Sequence, residues 1–569
     1  MIAVFCKDLE RKVVAEFFEL FKTPWEFYED DQAYDVVVAT KPGLPPVTAG
    51  LLILCGSFVT ESDQQLPRPR SLRAGVPVVF RGNRIPLLHE VLCFEPGNCR
   101  VVCSTGAGEL AGVQCTGNDR TIVRLGYNLF TEIESLLRDG QPLEHAVTPT
   151  IELHIAMLRQ LILDAGIPVL EIAPSPFGYD FSVCLTHDID FVGIRRHLLD
   201  HTMWGFLLRA TLGSVIRLAR GTLSFNQFLQ SWKAALSLPL VYLGLVPDFW
   251  MRFDWFMKVE KGLSPTYFFI PFKRRAGQKL NMANASRRAS AYDISDIPEL
   301  ASQLLQHGCE LGVHGIDAWH DVKCAREERK RLAAVTGPVE VGIRMHWLVQ
   351  DKRTCKVLDE AGYDFDSTAG YNESPGYKCG TTQVFKPLNV DHLLELPLHI
   401  QDGALFFSKR MGLAESQAWE LCKSLIENAR RFGGVLTLLW HDRSPGPERF
   451  WGDFYMRLVA DLKKLKVWFA RGSEAVGWFR RRREITFERA QALDGSSRFK
   501  LSGIGRRVNP PFKVRIYSPA VSDSDFPQRK ADPAITELAW DGDTEIELGT
   551  DRPATAEASM GVLAISTCE

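Results

Sequence analysis

Several short apolar runs in the middle of the chain each end in a polar group able to do chemistry. FSVCLTHDIDF places Asp188 and Asp190 just past a strand-like run from Phe181 to Thr186. Two carboxylates so close are comfortable only if they share a cation or a proton. One as metal ligand and one as general base is a simple division of work, an exposed turn being the bland alternative. CELGVHGIDAWHD closes its run from Cys309 to Val313 with His314, and His320 and Asp321 follow six and seven residues on. One Asp and two neutral imidazoles suit Zn²⁺, Co²⁺, Fe²⁺ or Ni²⁺, with a position left open for water. VEVGIRMHWL supplies Arg344 and His346, and GYDFDSTAGYN supplies Asp364 and Asp366. GGVLTLLWHDRSPG carries a buried run from Val435 to Trp440 into His441 and Asp442.

That repetition predicts several strands aiming polar groups at one mouth, as happens at the C-terminal ends of strands in barrels of alternating strands and helices. The supporting pattern runs from about 175 to 485, and PTYFFIPF (265–272) is apolar enough to be a further strand of it. Residues 1–150 read as a small α/β domain. Its strands are IAVF, YDVVVA and LLILC, and its first helix carries Val13, Val14, Phe17, Phe18 and Phe21 on one face. A second helix over 149–165 puts Ile151, Ile155, Leu158 and Ile162 on one side, and 172–180 reads as a linker closing a 151–174 connection. Residues 486–569 alternate and are turn-punctuated, so a small β-rich appendage is expected, ending in an acidic tail. The arginines at 480–483 read as a solvated face.

The order of these pieces resembles the polysaccharide deacetylases with a NodB homology domain, carbohydrate esterase family 4 in the broad sense, over about 175–485. The resemblance implies a distorted (β/α)7 barrel, so that the whole reads as an α/β protein with an N-terminal α/β domain and a C-terminal β-rich appendage. The family's first motif is a T-F-D-D type turn, matched here by T-H-D-I-D with one inserted residue. Asp188 is then the base and Asp190 the metal ligand. Its second motif, H-S/T-x-x-H, makes His314 a ligand. His320, two residues too distant, is the expected third ligand, with His346 its rival. Arg344 matches the Arg that orients the base, and His346 stands where a Pro is usual. Asp366 matches the Asp that holds this Arg, and His441 the acid at the end of an apolar strand. Trp319, His346, Tyr371 and Asp402 are expected near substrate, although Tyr371 with Asn372 and the run at 380–383 fits a plain loop equally, and Asp402 a capping role.

The implied activity is metal-dependent hydrolysis of an N-acetyl or O-acetyl group of a sugar in bacterial surface-polysaccharide metabolism. It needs one divalent transition metal, zinc first, then Co, Fe or Ni. The alternatives are a small non-sugar amide hydrolase of the same fold and a non-catalytic carbohydrate-binding or assembly protein, which the displaced His320 permits. The metal, the sugar and the oligomeric state stay open.

The remaining composition narrows the classes. In 569 residues, 67 basic and 69 acidic side chains give a net charge of −2, so nothing draws the chain to nucleic acid. Thirteen scattered cysteines without a C-x-x-C pair read as reduced thiols, and the start is not a secretory signal, so a cytoplasmic protein is expected. The stretch 203–250 holds basic amphipathic sequence broken by Pro239 and Pro247, too interrupted to span a bilayer. It fits either packing on the protein's own core or a peripheral contact at the inner membrane face, with a lipid-linked acceptor. It forms an insertion over 200–260.

Overall fold

Phe181–Ile189 is the longest strand of the central sheet, and its alternation explains its position. Phe181, Val183 and Leu185 join an apolar cluster with the helices outside the sheet, whereas Thr186 and Asp188 point to the opposite side and meet Arg344. A computed structural model describes residues 1–44, 47–59, 67–117, 120–278, 285–337, 341–490, 498–503, 505–519, 533–542 and 546–549.

All pairings in the central sheet are parallel. Its strands lie in the order 394–395, 365–366, 342–345, 310–315, 266–269, 181–189, 435–439 and 400–401, with Val467–Phe469 also paired to the 181–189 strand. The two end strands belong to one stretch, Leu394 to Gln401, so the sheet has to curl until its edges approach each other. Helices Pro298–Gln306, Val322–Thr336, Thr354–Ala361, Glu415–Phe432, Gly452–Leu462 and Gly472–Arg483 intervene between or follow the strands. This is a distorted (β/α) barrel, and every strand points its C-terminal end the same way.

Residues 2–125 contribute an eleven-stranded mixed sheet, in which strands Ala33–Ala39 and Thr48–Cys55 are the buried runs expected from sequence. Helix Thr150–Asp164 buries Ile151, Ile155, Leu158 and Ile162 in the same core.

Four expectations are corrected here. Residues up to Pro176 are not linker: Val169–Pro176 is a strand paired with Phe512–Ser518, which pairs in turn with Ala534–Trp540. The C-terminal strands therefore split, because Thr486–Ala490, Arg498–Ser502 and Ile546–Gly549 form a separate sheet. The acidic tail beyond Gly549 lies outside the described residues. The arginine cluster is only partly solvated: Arg481 is exposed, but Arg482 is fully buried and donates to the carbonyls of Glu19, Leu20 and Ile172, and Arg483 binds Glu16 with both terminal nitrogens. Finally, Cys99 and Cys115 form a disulfide. The hairpin register opposes Arg100 to Gln114, which sets the two cysteines opposite each other. Disulfides belong to oxidising compartments, so the cysteines no longer argue for a reducing one.

Candidate active site and metal centre

The parallel register explains how distant motifs meet. His314 sits opposite Arg344 and Gly315 opposite Met345, so the residue following Met345, His346, emerges beside His314. Gly315 gives the Met345 side chain room, since a Cβ there would lie 2.5 Å from Met345 Sδ and push that side chain aside. Asp190 follows the end of the 181–189 strand, and its backbone carbonyl accepts from the Ser290 hydroxyl at 2.9 Å.

Asp190, His314 and His346 each offer one ligand atom, and these atoms all lie within 4.8 Å of one another. His314 Nδ1 donates to the Arg344 carbonyl at 2.9 Å, which leaves its Nε2 lone pair facing the cluster. That nitrogen lies 2.9 Å from His346 Nδ1 and 3.4 Å from Asp190 Oδ1. His346 Nδ1 is 3.3 Å from the same oxygen. Two ring nitrogens this close need a proton or a cation between them. Asp190 Oδ1 is buried and has no hydrogen-bond partner. Burial pushes the Asp190 carboxyl up, but His346 and His314 outweigh it and hold it well below the usual range. Burial pushes His346 down to about 4 despite Asp190. An ionised carboxylate with a neutral imidazole at neutral pH is the state a transition metal binds. The donor set of two nitrogens and one oxygen fits a divalent zinc-type ion with open positions.

The third member differs from the one expected. His320 lies beyond the turn after Gly315, where its Nε2 donates to Asp317 Oδ1 at 3.3 Å. Six residues carry the chain away from the strand end to the start of helix Val322–Thr336, whereas His346 follows the strand next door.

Asp188 and Arg344 lie beside the cluster. Arg344 Nη1 donates to Asp188 Oδ1 at 3.0 Å and to Thr186 Oγ1 at 2.7 Å. Its Nε and Nη2 donate to the Ser367 carbonyl and hydroxyl. Asp188 Oδ2 faces His314 Nε2 at 3.8 Å. Asp366 does not hold Arg344 by a hydrogen bond. Its Oδ1 accepts from Thr368, and it pairs in register with Glu395. Burial pushes Asp366 up to about 6, and burial with the Asp366 charge pushes Glu395 well above the carboxylate range. The short strand Phe365–Asp366 thus turns Ser367, not Asp366, toward the guanidinium.

On the other side, His441 Nδ1 donates to Asp402 Oδ1 at 2.6 Å. Burial disfavours charge on this ring, but Asp402, Asp190 and Asp188 outweigh it and push His441 up to about 9. Asp402 is fully buried behind His441 and therefore does not reach substrate directly. Trp319 is likewise packed in the core, and the Tyr371 hydroxyl points away to donate to the Gln141 carbonyl at 2.6 Å. Thr381 and Thr382 bind Glu152 of helix Thr150–Asp164 instead of lining the cleft. Asp364 accepts the backbone N–H of Val341. His187, on the outer side of its strand, bridges the Trp440 carbonyl and Glu260.

The cleft over the cluster is walled by Phe191, Trp347, Asn372, Phe407, Arg410 and Arg449. Sequence reasoning missed most of these because none of them closes an apolar run. It also missed Arg288, fully buried, whose guanidinium donates to the carbonyls of Gly315, Ile316 and His346 and so ties together the turns bearing both histidines. Nothing in the run SRRAS distinguishes it.

No family model matches the chain, and no curated protein matches it. Solved structures do. One, from Mycobacterium smegmatis and described as a polysaccharide deacetylase, is 20% identical, covering 55% of this chain and 95% of that one at a TM-score of 0.33. Agd3, described as a carbohydrate deacetylase, is 10% identical over 96% and 98% of the two chains, with a TM-score of 0.36. Puue allantoinase is 13% identical over 53% and 91%, with a TM-score of 0.32.

Proposed function

We propose that the chain is a metal-dependent deacetylase that hydrolyses an N-acetyl or O-acetyl group of a sugar in surface-polysaccharide metabolism. One observation carries the reading: the Asp190–His314–His346 cluster is flanked by a carboxylate fixed by an arginine and by a histidine fixed by a carboxylate. A divalent cation held by these three residues would polarise an acyl carbonyl and acidify a water, whichever of zinc, cobalt, iron or nickel it is.

The chain's own groups account for the proton transfers. Asp188 has one oxygen engaged by Arg344, and the other, toward the cleft, accepts the proton of the attacking water. His441 is protonated at neutral pH and holds its proton on the side away from Asp402, where a leaving amine or alkoxide can take it. Arg344 and Asp402 position these two groups. Trp347, 37% exposed, and Phe407 give flat apolar faces for sugar rings, and Asn372, Gln401 and Arg410 give polar contacts. The displaced His320 gives ground for a non-catalytic binding protein, and the position of His346 beside His314 and Asp190 favours the catalytic reading over it.

The test is acetate release from N-acetylated and O-acetylated oligosaccharides beside a panel of small non-sugar amides, with Asp188→Asn as control. Acetate from sugars, lost in the variant and with chelator, supports the reading. Hydrolysis confined to the small amides, or none by metal-replete protein, overturns it.

A further inference from the structure

The insertion between the 181–189 and 266–269 strands has two apolar faces, and among the described residues only one of them is covered. Met203, Phe206, Ala210, Ala234, Leu238 and Val241 meet in an inner seam. On helix Phe225–Tyr242 and the residue after it, Phe225, Leu229, Leu236, Leu240 and Leu243 are all exposed, Leu236 to 73% and Leu243 to 72%. At roughly 100° per residue these five fall within an arc of about 60°, opposite the buried Ala234, Leu238 and Val241. The preceding helical segment repeats the arrangement: Trp204, Leu208, Leu212, Val215 and Ile216 recur every three or four positions through the Arg209–Gly213 π-turn and are exposed. Isolated exposed leucines are ordinary, but stripes of this length on consecutive helices are not.

Charge identifies the occupant. Between His201 and Pro247 there is no Asp or Glu, and of the four basic residues Arg217 is turned inward to the barrel whereas Arg209, Arg220 and Lys233 are exposed. A second copy of this face would bring basic groups together with no acid to pair them, whereas an anionic bilayer offers both apolar depth and complementary phosphate. The insertion is also fastened to the mouth of the barrel. Arg217 donates to the Glu448 carbonyl at 3.0 Å, the Ser231 hydroxyl to the Pro447 carbonyl at 2.8 Å, and Trp250 Nε1 to Glu448 Oε2 at 3.1 Å. That loop leaves His441 and carries Arg449 into the cleft. Among the described residues no helix is long and apolar enough to cross a membrane, so the contact is with one surface.

We infer that the outward stripes of 204–243 dock the protein on an anionic phospholipid surface and hold the cleft beside it. Resting on the deacetylase reading above, this makes the substrate an acetylated glycan anchored in that membrane.

Vesicle flotation of the full chain tests the docking without any activity readout. Wild type is expected to float with phosphatidylglycerol-containing vesicles and less with pure phosphatidylcholine. Leu236→Glu/Leu243→Glu and, separately, Leu208→Glu/Leu212→Glu are expected to lose recovery by about tenfold or more, given what buried side chains of this size contribute to interfacial binding. Both should keep wild-type metal content and hydrolysis of soluble oligosaccharide. Wild type that stays unfloated with anionic vesicles overturns the inference whatever the variants do. So does wild type that is dimeric by light scattering without lipid and becomes monomeric in either variant, which would make the stripes a protein interface. Flotation with no sugar hydrolysis would sink the deacetylase reading and leave the docking intact.

Discussion

Asp402 holds His441 at two points: Oδ1 accepts the ring Nδ1–H at 2.6 Å, and Oδ2 accepts the backbone N–H at 2.8 Å. The Ser444 hydroxyl also donates to Oδ2, so the carboxylate is fixed before the ring is. Burial alone would depress the imidazolium, and it is this carboxylate, with Asp190 and Asp188 behind it, that pushes the ring up to about 9.

The alkaline limit of turnover should therefore follow His441. Asp402→Asn is expected to move the alkaline limb of the pH–rate profile down by at least about one unit and to lower kcat at pH ~8 by roughly 10–100-fold. The raised pKa also adds stability that is fully present below the unfolded value of about 6.5 and is lost as pH rises through about 9. Denaturant unfolding of wild type should show that loss on the alkaline side, and Asp402→Asn should flatten it. An unchanged profile in the variant would remove His441 as the acid.

Metal content separates the two candidate histidines. Wild type should bind about one transition-metal ion per chain by mass spectrometry, as expected for a three-residue site with open positions. Asp190→Ala, His314→Ala and His346→Ala should lose it, and His320→Ala should retain it because His320 faces Asp317. Retention in His346→Ala with loss in His320→Ala would reverse the assignment.

The sequence was legible where a polar residue closes an apolar strand, because parallel strands ending on one side leave such residues nowhere else to go. Asp188, Asp190, His314, Arg344 and His441 are candidates of that kind, and the structure brings them to one mouth. His320 against His346 was not decidable, since the choice depends on which strands are neighbours, and adjacency of the 310–315 and 342–345 strands is a tertiary fact. Asp366 misled for a related reason: a strand only two residues long gives no alternation from which to read which of Asp366 and Ser367 faces inward. Arg288 and Arg482 act through backbone carbonyls of distant segments, and no local pattern marks an arginine as a carbonyl clamp.

Asp188 and Asp366 should respond very differently to loss of charge. Asp188→Asn is expected to keep metal and lose turnover by about 100-fold or more, the scale of acid–base catalysis. Asp366→Asn should cost less than about tenfold, because Arg344 is held by Ser367 and Thr186 and donates no hydrogen bond to Asp366. Steady-state kinetics on one acetylated oligosaccharide decides this. Equal losses in the two variants would restore Asp366 as the anchor of Arg344.

Arg482 joins the N-terminal domain to the barrel, and its removal should be a stability effect without a change in chemistry. Its guanidinium is fully buried and donates to Glu19, Leu20 and Ile172 carbonyls. Arg482→Ala leaves those carbonyls without their donor and opens a cavity at the seam, which should cost roughly 3–5 kcal/mol, the range for breaking a buried charged hydrogen-bond group. Arg481 is exposed, and Arg481→Ala should stay within about 0.5 kcal/mol. Denaturant unfolding monitored separately in the two domains is the measurement. The Arg482 variant should split one transition into two, because the cysteine-bridged N-terminal sheet and the barrel each keep their own core. A single unshifted transition would show that the apolar contacts of helix Gly472–Arg483 hold the seam without the guanidinium.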